Sequence, residues 1–246
     1  METLSKLTLV FLHGFGGGPS DFDEVISYLP LTLRIKCLTL PGHERAQDPM
    51  CLDEEIKRLG KELGREENLV LCGYSMGGRF ATLLSEKIKL KGLILLSSGL
   101  GGENERRLKK DQEWAKLLTE NTPLFWKKWY EQNLFASLKK LPEAKWQTFL
   151  KKKEKHNASN LAQSLENFSP ANHKNLMPYL KAQAHLLFLV GSLDEKYSEI
   201  AKQIENEIPK AQVTLINQAG HNLPLEAPKA CAQHIEAFLQ SLKETI

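Results

Sequence analysis

The sequence predicts an α/β protein with a mostly parallel, doubly wound sheet that carries helices on both faces. Two observations support this prediction: short apolar runs alternate with helical patterns over residues 1–100 and 180–246, and the strand pattern stops over residues 101–179. With 246 residues, of which 41% are hydrophobic, the chain can bury one sizeable core. We therefore predict one core formed by 1–100 and 180–246, and a helical insertion over 101–179, called the cap below.

The individual elements follow from the period of the apolar residues, which is about two in strands and 3.6 in helices. Before the cap we expect strands at Leu7–Leu12, Ile35–Leu40, Leu69–Cys72 and Leu93–Ser97, and helices at Asp21–Leu29, Glu54–Leu63 and Met76–Ile88. After the cap we expect strands at Leu186–Val190 and Gln212–Ile216, and helices at Ser198–Ile208 and Pro228–Leu242.

The cap has a distinctive composition. All 4 tryptophans of the chain lie in it, and residues 101–155 contain 14 Lys and Arg against 8 Asp and Glu, a local charge of +6. Basic residues interleaved with aromatic ones occur in nucleic-acid-binding proteins. However, prolines break the segment into amphipathic helices, and no nucleic-acid-binding motif accompanies it. We therefore expect no nucleic-acid partner, but a segment that closes over a small anionic molecule.

Other classes of protein are also disfavoured. The chain shows no basic and then apolar leader and no apolar run of membrane-spanning length, so we expect a cytoplasmic protein without membrane insertion. Its 4 cysteines lack the spacing of zinc ligands or of a disulfide framework, so we predict no metal site. No feature indicates an obligate protein partner.

Residues 73–78, GYSMGG, place Ser75 between two glycines directly after a predicted strand and before a predicted helix. A strand that turns into a helix within a few residues leaves no room for side chains beside the turn, which explains Gly73 and Gly77. This arrangement is typical of a nucleophile elbow. The pattern also occurs by chance in glycine-containing loops, so the interpretation depends on partners for the serine.

Two candidate partners follow later strands. Asp194 lies in the turn after Leu186–Val190, and His221 lies in the loop after Gln212–Ile216. The order serine, acid, histidine is that of nucleophile-elbow enzymes, and the carboxyl ends of parallel strands meet at one edge of the sheet. We predict that Ser75, Asp194 and His221 form a catalytic triad. Alternatively, Asp194 is only a helix N-cap, and His221 is only a surface residue.

An oxyanion that develops during the reaction needs backbone donors. Met76 follows the nucleophile, and Phe15 lies in the glycine-rich segment after the first strand, so we predict that their N–H groups form an oxyanion hole. The same segment could instead bind a phosphate, but it matches neither phosphate-binding glycine motif.

Several blocks of the sequence extend this pattern: FLHGF at 11–15, LPGH at 40–43, GYSMGGR at 73–79, AGHN at 219–222 and, in the cap, residues 105–107 and 129–138. These blocks resemble the MenH family of the α/β-hydrolase superfamily, the 2-succinyl-6-hydroxy-2,4-cyclohexadiene-1-carboxylate synthases of menaquinone biosynthesis. The resemblance covers nearly the whole chain and implies the α/β-hydrolase fold.

The resemblance also implies a reaction. Members of this family are carbon–oxygen lyases that eliminate pyruvate from 2-succinyl-5-enolpyruvyl-6-hydroxy-3-cyclohexene-1-carboxylate, without a metal or organic cofactor. By analogy, Ser75 takes the substrate proton, His221 relays it and Asp194 orients His221. The residues expected to bind the multi-carboxylate substrate are Tyr74, Arg79, Arg106, Arg107, Trp129, Phe135 and Lys153.

Three of these assignments have alternatives. Lys153 stands where the family usually has an arginine, and it could belong to a solvated lysine face. Arg79 could form an ion pair on its own helix. Trp129 could serve only to pack the helices of the cap.

Two other functions also remain open. The first is a carboxylesterase or thioesterase, including a carrier-protein methyl esterase, that forms an acyl-enzyme on Ser75. The second is a ligand sensor that signals through the cap.

Overall fold

The structure is a computed structural model that describes residues 4–44 and 48–242. In these ranges six strands form one sheet: β1 Thr8–Leu12, β2 Arg34–Leu38, β3 Leu69–Tyr74, β4 Gly92–Leu96, β5 Leu186–Gly191 and β6 Gln212–Ile216. Their order across the sheet is β2-β1-β3-β4-β5-β6, and every neighbouring pair is parallel. The carboxyl ends of β3, β5 and β6 therefore lie at one edge.

The helices predicted for the core are present in the predicted order, together with a short helix at Leu223–Glu226, which was not predicted. In chain order, the helices are α1 Asp23–Ile26, α2 Leu52–Leu63, α3 Met76–Lys87, α4 Glu105–Glu120, α5 Thr122–Glu131, α6 Glu143–Lys151, α7 Ala158–Asn167, α8 Met177–Lys181, α9 Glu195–Glu207, α10 Leu223–Glu226 and α11 Pro228–Ser241. Short 3-10 helices lie at Leu4–Lys6, Pro19–Phe22, Asn133–Lys140, Lys152–Lys155 and Pro170–Asn172. Across the described ranges, no helix has both the length and the apolar character required to cross a membrane.

Helices cover the sheet on both faces. On one face, α1 and α11 bury a cluster that includes Phe11 and Phe238. On the other face, α2, α3 and α9 bury a second cluster that includes Phe80 and Phe188. Every residue of β1, β3, β4 and β5 is buried, as expected for parallel strands covered on both sides. The predicted α/β fold is confirmed.

Some predicted boundaries differ from the structure. The helix expected at Asp21–Leu29 is a 3-10 turn followed by the short α1. The strand expected to reach Leu40 ends at Leu38, because the Leu40 carbonyl accepts a hydrogen bond from His43 N–H in a turn. The helix expected from Ser198 begins at Glu195, after its N-cap Asp194.

The segment between β4 and β5 forms helices around an aromatic cluster of its own, which includes Phe125, Trp126 and Phe149. Phe15 of the core packs against this cluster and against the core cluster beneath it. Met177 in α8 packs into the core cluster rather than into the cap cluster. We propose that the cap ends just before α8, a few residues earlier than the sequence suggests.

The glycines of two helices allow a direct test of the crowding at the sheet edge. A Cβ on Gly77 in α3 would overlap the carbonyl oxygen of Leu12, whereas a Cβ on Gly60 in α2 would meet nothing closer than 3.7 Å. We expect Gly77→Ala to lower the free energy of unfolding by about 1–3 kcal/mol through overpacking. Gly60→Ala should raise it by about 0.5–1 kcal/mol because alanine has the higher helix propensity. Urea denaturation measures both values, and an equal effect of the two substitutions would contradict the crowding argument.

Candidate active site

Ser75 lies at a sharp turn between β3 and α3. Its φ of 51° is in the left-handed region that non-glycine residues rarely occupy, and its N–H donates to the Leu96 carbonyl at 2.9 Å. A side chain on Gly73 would overlap the backbone of Gly77, and one on Gly77 would overlap the end of β1. The turn therefore requires both glycines, and it directs Ser75 toward a pocket between the core and the cap.

The structure brings Ser75, Asp194 and His221 together. His221 Nε2 lies 3.1 Å from Ser75 Oγ, and His221 Nδ1 lies 2.7 Å from Asp194 Oδ2. Asp194 and His221 are both buried, so the carboxylate holds the proton on Nδ1 and leaves Nε2 free to accept the serine proton. The three residues follow β3, β5 and β6, as their positions in the sequence predict.

Asp194 has a structural contact as well. Its second oxygen, Oδ1, accepts a long hydrogen bond of 3.5 Å from the Tyr197 N–H at the start of α9. The N-cap interpretation and the contact with His221 therefore involve different oxygens of one carboxylate.

Three aromatic rings enclose His221. The ring centroids of Tyr197, Tyr74 and Phe135 lie 4.6, 5.5 and 5.9 Å from that of His221. Tyr74 and Phe135 were predicted from the sequence, but Tyr197 was missed. The sequence feature that could have identified Tyr197 is its position three residues after Asp194, in the first turn of the helix that Asp194 caps.

The candidate oxyanion donors belong to two separate segments that line the pocket with Ser75. Among the described residues, no acceptor pairs with the N–H of Phe15 or of Met76. Met76 is the first residue of α3, where the helix dipole also favours negative charge. Both residues line the pocket together with Ser75, so the two groups can hold a developing oxyanion.

Residues 13–18, the oxyanion loop, are held by buried histidines. His13 Nε2 accepts a hydrogen bond from Leu40 N–H at 2.9 Å, and His43 Nε2 accepts one from Gly16 N–H at 3.0 Å. Burial lowers the pKa of His13 to about 4, so the ring is neutral near pH 7, as an acceptor nitrogen requires. The Gly17 N–H donates to the Gly14 carbonyl at 3.1 Å, which closes the loop beside Phe15.

Most of the predicted binding residues line the pocket. Tyr74, Arg79, Arg107, Trp129, Phe135 and Lys153 are among the lining residues. Arg106 is exposed and is not among them, because it precedes Arg107 on α4 and neighbouring residues of a helix point in different directions. The sequence pattern alone does not distinguish the two arginines.

Arg79 is a buried cation that has no carboxylate partner among residues 4–44 and 48–242. Its side chain is 7% exposed, and Nη2 donates to the Phe168 carbonyl at 2.9 Å, while Nε has no partner in the described part of the chain. Burial lowers the pKa of Arg79 to about 10, so the guanidinium stays charged near pH 7. The alternative of an ion pair on its own helix is not observed. An unpaired buried charge is costly, so this position favours an anionic ligand.

Arg107 is already paired. Its Nε lies 2.9 Å from both oxygens of Asp111, and Nη1 lies 3.3 Å from Glu103 Oε2. The charge of Arg107 is therefore largely compensated by the cap itself, which leaves Arg79 as the more available guanidinium.

Lys153 is buried rather than solvated. Its side chain is 4% exposed, Nζ donates to the Gly16 carbonyl at 2.6 Å, and Nζ lies 4.0 Å from the centroid of the Phe149 ring. Burial lowers the pKa of Lys153 to about 8. The solvated lysine face considered from the sequence is therefore not the arrangement found.

Trp129 both packs the helices of the cap and lines the pocket, so the two roles considered from the sequence occur together. Its ring stacks on Phe125 at 5.3 Å between centroids, and it also lies 5.0 Å from Phe15 at the pocket wall.

Within the described ranges, no group of three or more His, Cys, Asp or Glu residues is placed to hold a metal ion.

Comparisons with known proteins agree with this geometry. Residues 9–234 match the family described as "Alpha/beta hydrolase family". The 2-succinyl-6-hydroxy-2,4-cyclohexadiene-1-carboxylate synthase of Enterobacter sp. (strain 638) is 30% identical over 244 residues, which cover 94% of this chain and 91% of the relative.

Solved structures include MenH from S. aureus, with a TM-score of 0.90, 28% identity and coverage of 97% of this chain and 95% of that one. A carboxylesterase from Nitrososphaera gargenis matches with a TM-score of 0.81 and 18% identity, over 98% of this chain and 92% of the esterase chain. At this identity the likeness shows a common fold alone. The chain therefore belongs to the alpha/beta hydrolase family and, within it, to the group of 2-succinyl-6-hydroxy-2,4-cyclohexadiene-1-carboxylate synthases.

Proposed function

We propose that this chain is a carbon–oxygen lyase of menaquinone biosynthesis. It eliminates pyruvate from 2-succinyl-5-enolpyruvyl-6-hydroxy-3-cyclohexene-1-carboxylate and releases 2-succinyl-6-hydroxy-2,4-cyclohexadiene-1-carboxylate. The proposal places the enzyme in the cytoplasm and requires neither a metal nor an organic cofactor. Relatives with the name of this synthase, at 30% identity over nearly the whole chain, support it.

One observation in the site carries the proposal. The pocket beside Ser75 contains the buried guanidinium of Arg79, which has no carboxylate partner among the described residues. Lys153 contributes a second buried cation to the pocket, from the cap. A substrate with several carboxylates supplies the missing anions, whereas an uncharged ester would leave both cations uncompensated.

In the proposed mechanism, Ser75 and His221 act together as the base. Ser75 Oγ takes the proton from the substrate carbon while its own proton moves to His221 Nε2, and Asp194 stabilises the imidazolium that forms. The electron pair of the broken C–H bond is first held as an enolate, with its charge on the adjacent carbonyl oxygen. When the enolate collapses, this pair forms a new ring double bond, the existing ring double bond shifts toward the leaving group, and the C–O bond to the enolpyruvyl group breaks. His221 returns a proton to the departing enolate, which leaves as pyruvate.

Charge develops on a carbonyl oxygen of the substrate during proton abstraction. The N–H groups of Phe15 and Met76 are free to stabilise that oxygen, and each such donor typically contributes about 3 kcal/mol to the transition state. Arg79, and to a lesser degree Arg107, hold carboxylates so that the reacting proton faces Ser75. Trp129 and Phe135 form apolar walls that exclude water.

A carboxylesterase reaction is the second candidate, because the same serine, histidine and backbone donors could form an acyl-enzyme. The two functions differ in how they use the pocket cations. Elimination from a polyanion depends on Arg79, whereas hydrolysis of a neutral ester does not.

The central experiment supplies the cyclohexene precursor and follows the conjugated diene by absorbance and pyruvate by a coupled assay. We expect equal amounts of both products, and we expect Ser75→Ala to lower kcat by several orders of magnitude because the triad acts as a unit. Ser27→Ala, which removes an exposed hydroxyl on the same chain, serves as the control. Rapid hydrolysis of a short-chain chromogenic ester with a burst, and no diene from the precursor, would favour the esterase instead.

Substitution of Arg79 tests the binding of the substrate carboxylate. We expect Arg79→Ala to reduce kcat/KM about 30-fold, which corresponds to about 2 kcal/mol, with effects on both kcat and KM. Arg79→Lys should recover only part of this loss because an ammonium lacks the two-pronged geometry. Arg65→Ala, which changes an exposed arginine, is the matched control. Unchanged kinetics for Arg79→Ala would refute the pocket assignment.

Lys153 gives an expected pH dependence. Because burial lowers its pKa to about 8, its ammonium is present below that pH and is lost as the pH rises through it. We expect KM for the polyanionic substrate to rise above about pH 8 in the wild type. Lys153→Arg should keep KM flat to higher pH, whereas Lys153→Met should raise KM below about pH 8 and approach the wild-type value above it. Steady-state kinetics between pH 6 and pH 10 tests this, and a KM for Lys153→Met equal to that of the wild type at pH 6 would contradict it.

A further inference from the structure

Gly16 is a point at which the backbone of the oxyanion loop contacts the cap. Its φ of 65° lies in the left-handed region, and a Cβ on it would lie 2.5 Å from the Trp126 ring of α5. The loop therefore passes directly beneath the cap, with no side chain between the Gly16 backbone and the tryptophan.

Both polar groups of Gly16 are bound by side chains. The N–H donates to His43 Nε2 at 3.0 Å, on the core side. The carbonyl accepts two hydrogen bonds from the cap, at 2.6 Å from Lys153 Nζ and at 3.0 Å from His156 Nε2. The orientation of Gly16 is therefore set jointly by the core and by the cap.

The tautomer of His156 follows from its second contact. The backbone N–H of Glu44 donates to His156 Nδ1 at 2.9 Å, so Nδ1 is the acceptor and Nε2 carries the proton that it donates to Gly16. Burial lowers the pKa of His156 to about 4, which is consistent with the neutral ring. One side of the ring thus anchors the turn at Glu44, and the other side anchors the oxyanion loop.

These contacts bear on Phe15, the residue directly before Gly16. The Phe15 N–H belongs to the same peptide as the Gly14 carbonyl, which accepts a hydrogen bond from Gly17 N–H. The Gly17 N–H in turn belongs to the same peptide as the Gly16 carbonyl, which the cap holds. These contacts therefore set the orientation of the Phe15 N–H, and Phe15 lines the pocket beside Ser75. A shift of Gly16 would turn this donor away from the oxyanion.

We propose that His156, assisted by Lys153, is a positioning residue that completes the oxyanion hole from the cap. His156 holds the Gly16 carbonyl, and through it the Phe15 N–H, without contact with the reacting atoms. The oxyanion hole is therefore fully formed only when the cap is seated on the loop. This inference relies on the proposed function for the identity of the bound oxygen, but the geometry applies to any reaction of Ser75.

Two substitutions separate the two contacts of the His156 ring. In His156→Gln, the longer amide places an N–H donor near the position of Nε2 and keeps the contact with Gly16. In His156→Asn, the shorter amide places an acceptor near the position of Nδ1 and keeps the contact with Glu44 but loses Gly16. The two variants are thus matched in chemistry and differ in which anchor they preserve.

The readout is the rate at which a fluorophosphonate that carries no carboxylate modifies Ser75, because its transition state needs the triad and the oxyanion hole but no pocket cation. We expect His156→Asn to slow this reaction about tenfold and His156→Gln to stay within about threefold of the wild type. In the elimination assay, kcat of His156→Asn should fall about tenfold while KM stays within about twofold. Thermal melting verifies that both variants are folded.

Lys153→Met provides an independent measurement if His156→Asn does not fold. A lysine that only binds substrate carboxylates would not affect the uncharged reagent, whereas a lysine that holds Gly16 would, so we expect slower modification of Ser75. Equal rates for His156→Asn and His156→Gln, or a wild-type rate for Lys153→Met, would overturn the inference. If the wild type produces no diene but the two histidine variants still differ in phosphonylation, the proposed function fails and the positioning role stands.

Discussion

The site depends on the crowding of the backbone where β3 turns into α3. The end of β1 and the first turn of α3 approach so closely that only glycine fits at positions 73 and 77, and Ser75 adopts a left-handed conformation between them. This turn fixes the serine at the carboxyl edge of the sheet. Because β5 and β6 end at the same edge, Asp194 and His221, which follow these strands, lie close to Ser75. The same turn places the Met76 N–H at the start of a helix, where no described residue accepts a hydrogen bond from it. The nucleophile and one candidate oxyanion donor therefore arise from the same local constraint.

Much of this arrangement could be predicted from the sequence because the signals are local. Apolar runs identify buried parallel strands, and the polar residues that follow those strands must share one edge. The sequence could not distinguish Arg106 from Arg107, because a shift of one residue in helical phase decides which of them faces the pocket. It also could not show that only Lys153 of a basic run is buried, because a 3-10 helix changes the phase there. Tyr197 and His156 act through contacts between distant segments, which leave no periodic pattern.

The net positive charge of the cap does not by itself determine the charge of the pocket, because some of the basic residues are paired with carboxylates. Arg107 is compensated by Asp111 and Glu103, and Lys196 of α9 also binds Glu103, so these charges connect the cap to the core. Arg79 and Lys153, by contrast, are buried without carboxylates within ion-pair distance in the described residues, one on a core helix and one on the cap. A polyanionic ligand that binds both would therefore hold the two parts of the protein together. The affinity for the ligand and the closure of the cap over the ligand would then be coupled.

The buried neutral histidines around the oxyanion loop have a further consequence for the whole fold. In the folded protein the pKa values of His13 and His156 are lowered by burial from 6.5 to about 4, so the unfolded chain binds more protons than the folded one between these values. Their contribution to stability is complete above about pH 6.5 and declines as the pH falls toward 4. Unfolding in mild acid is therefore accompanied by proton uptake, and the segment that shapes the oxyanion hole is also a point of acid sensitivity.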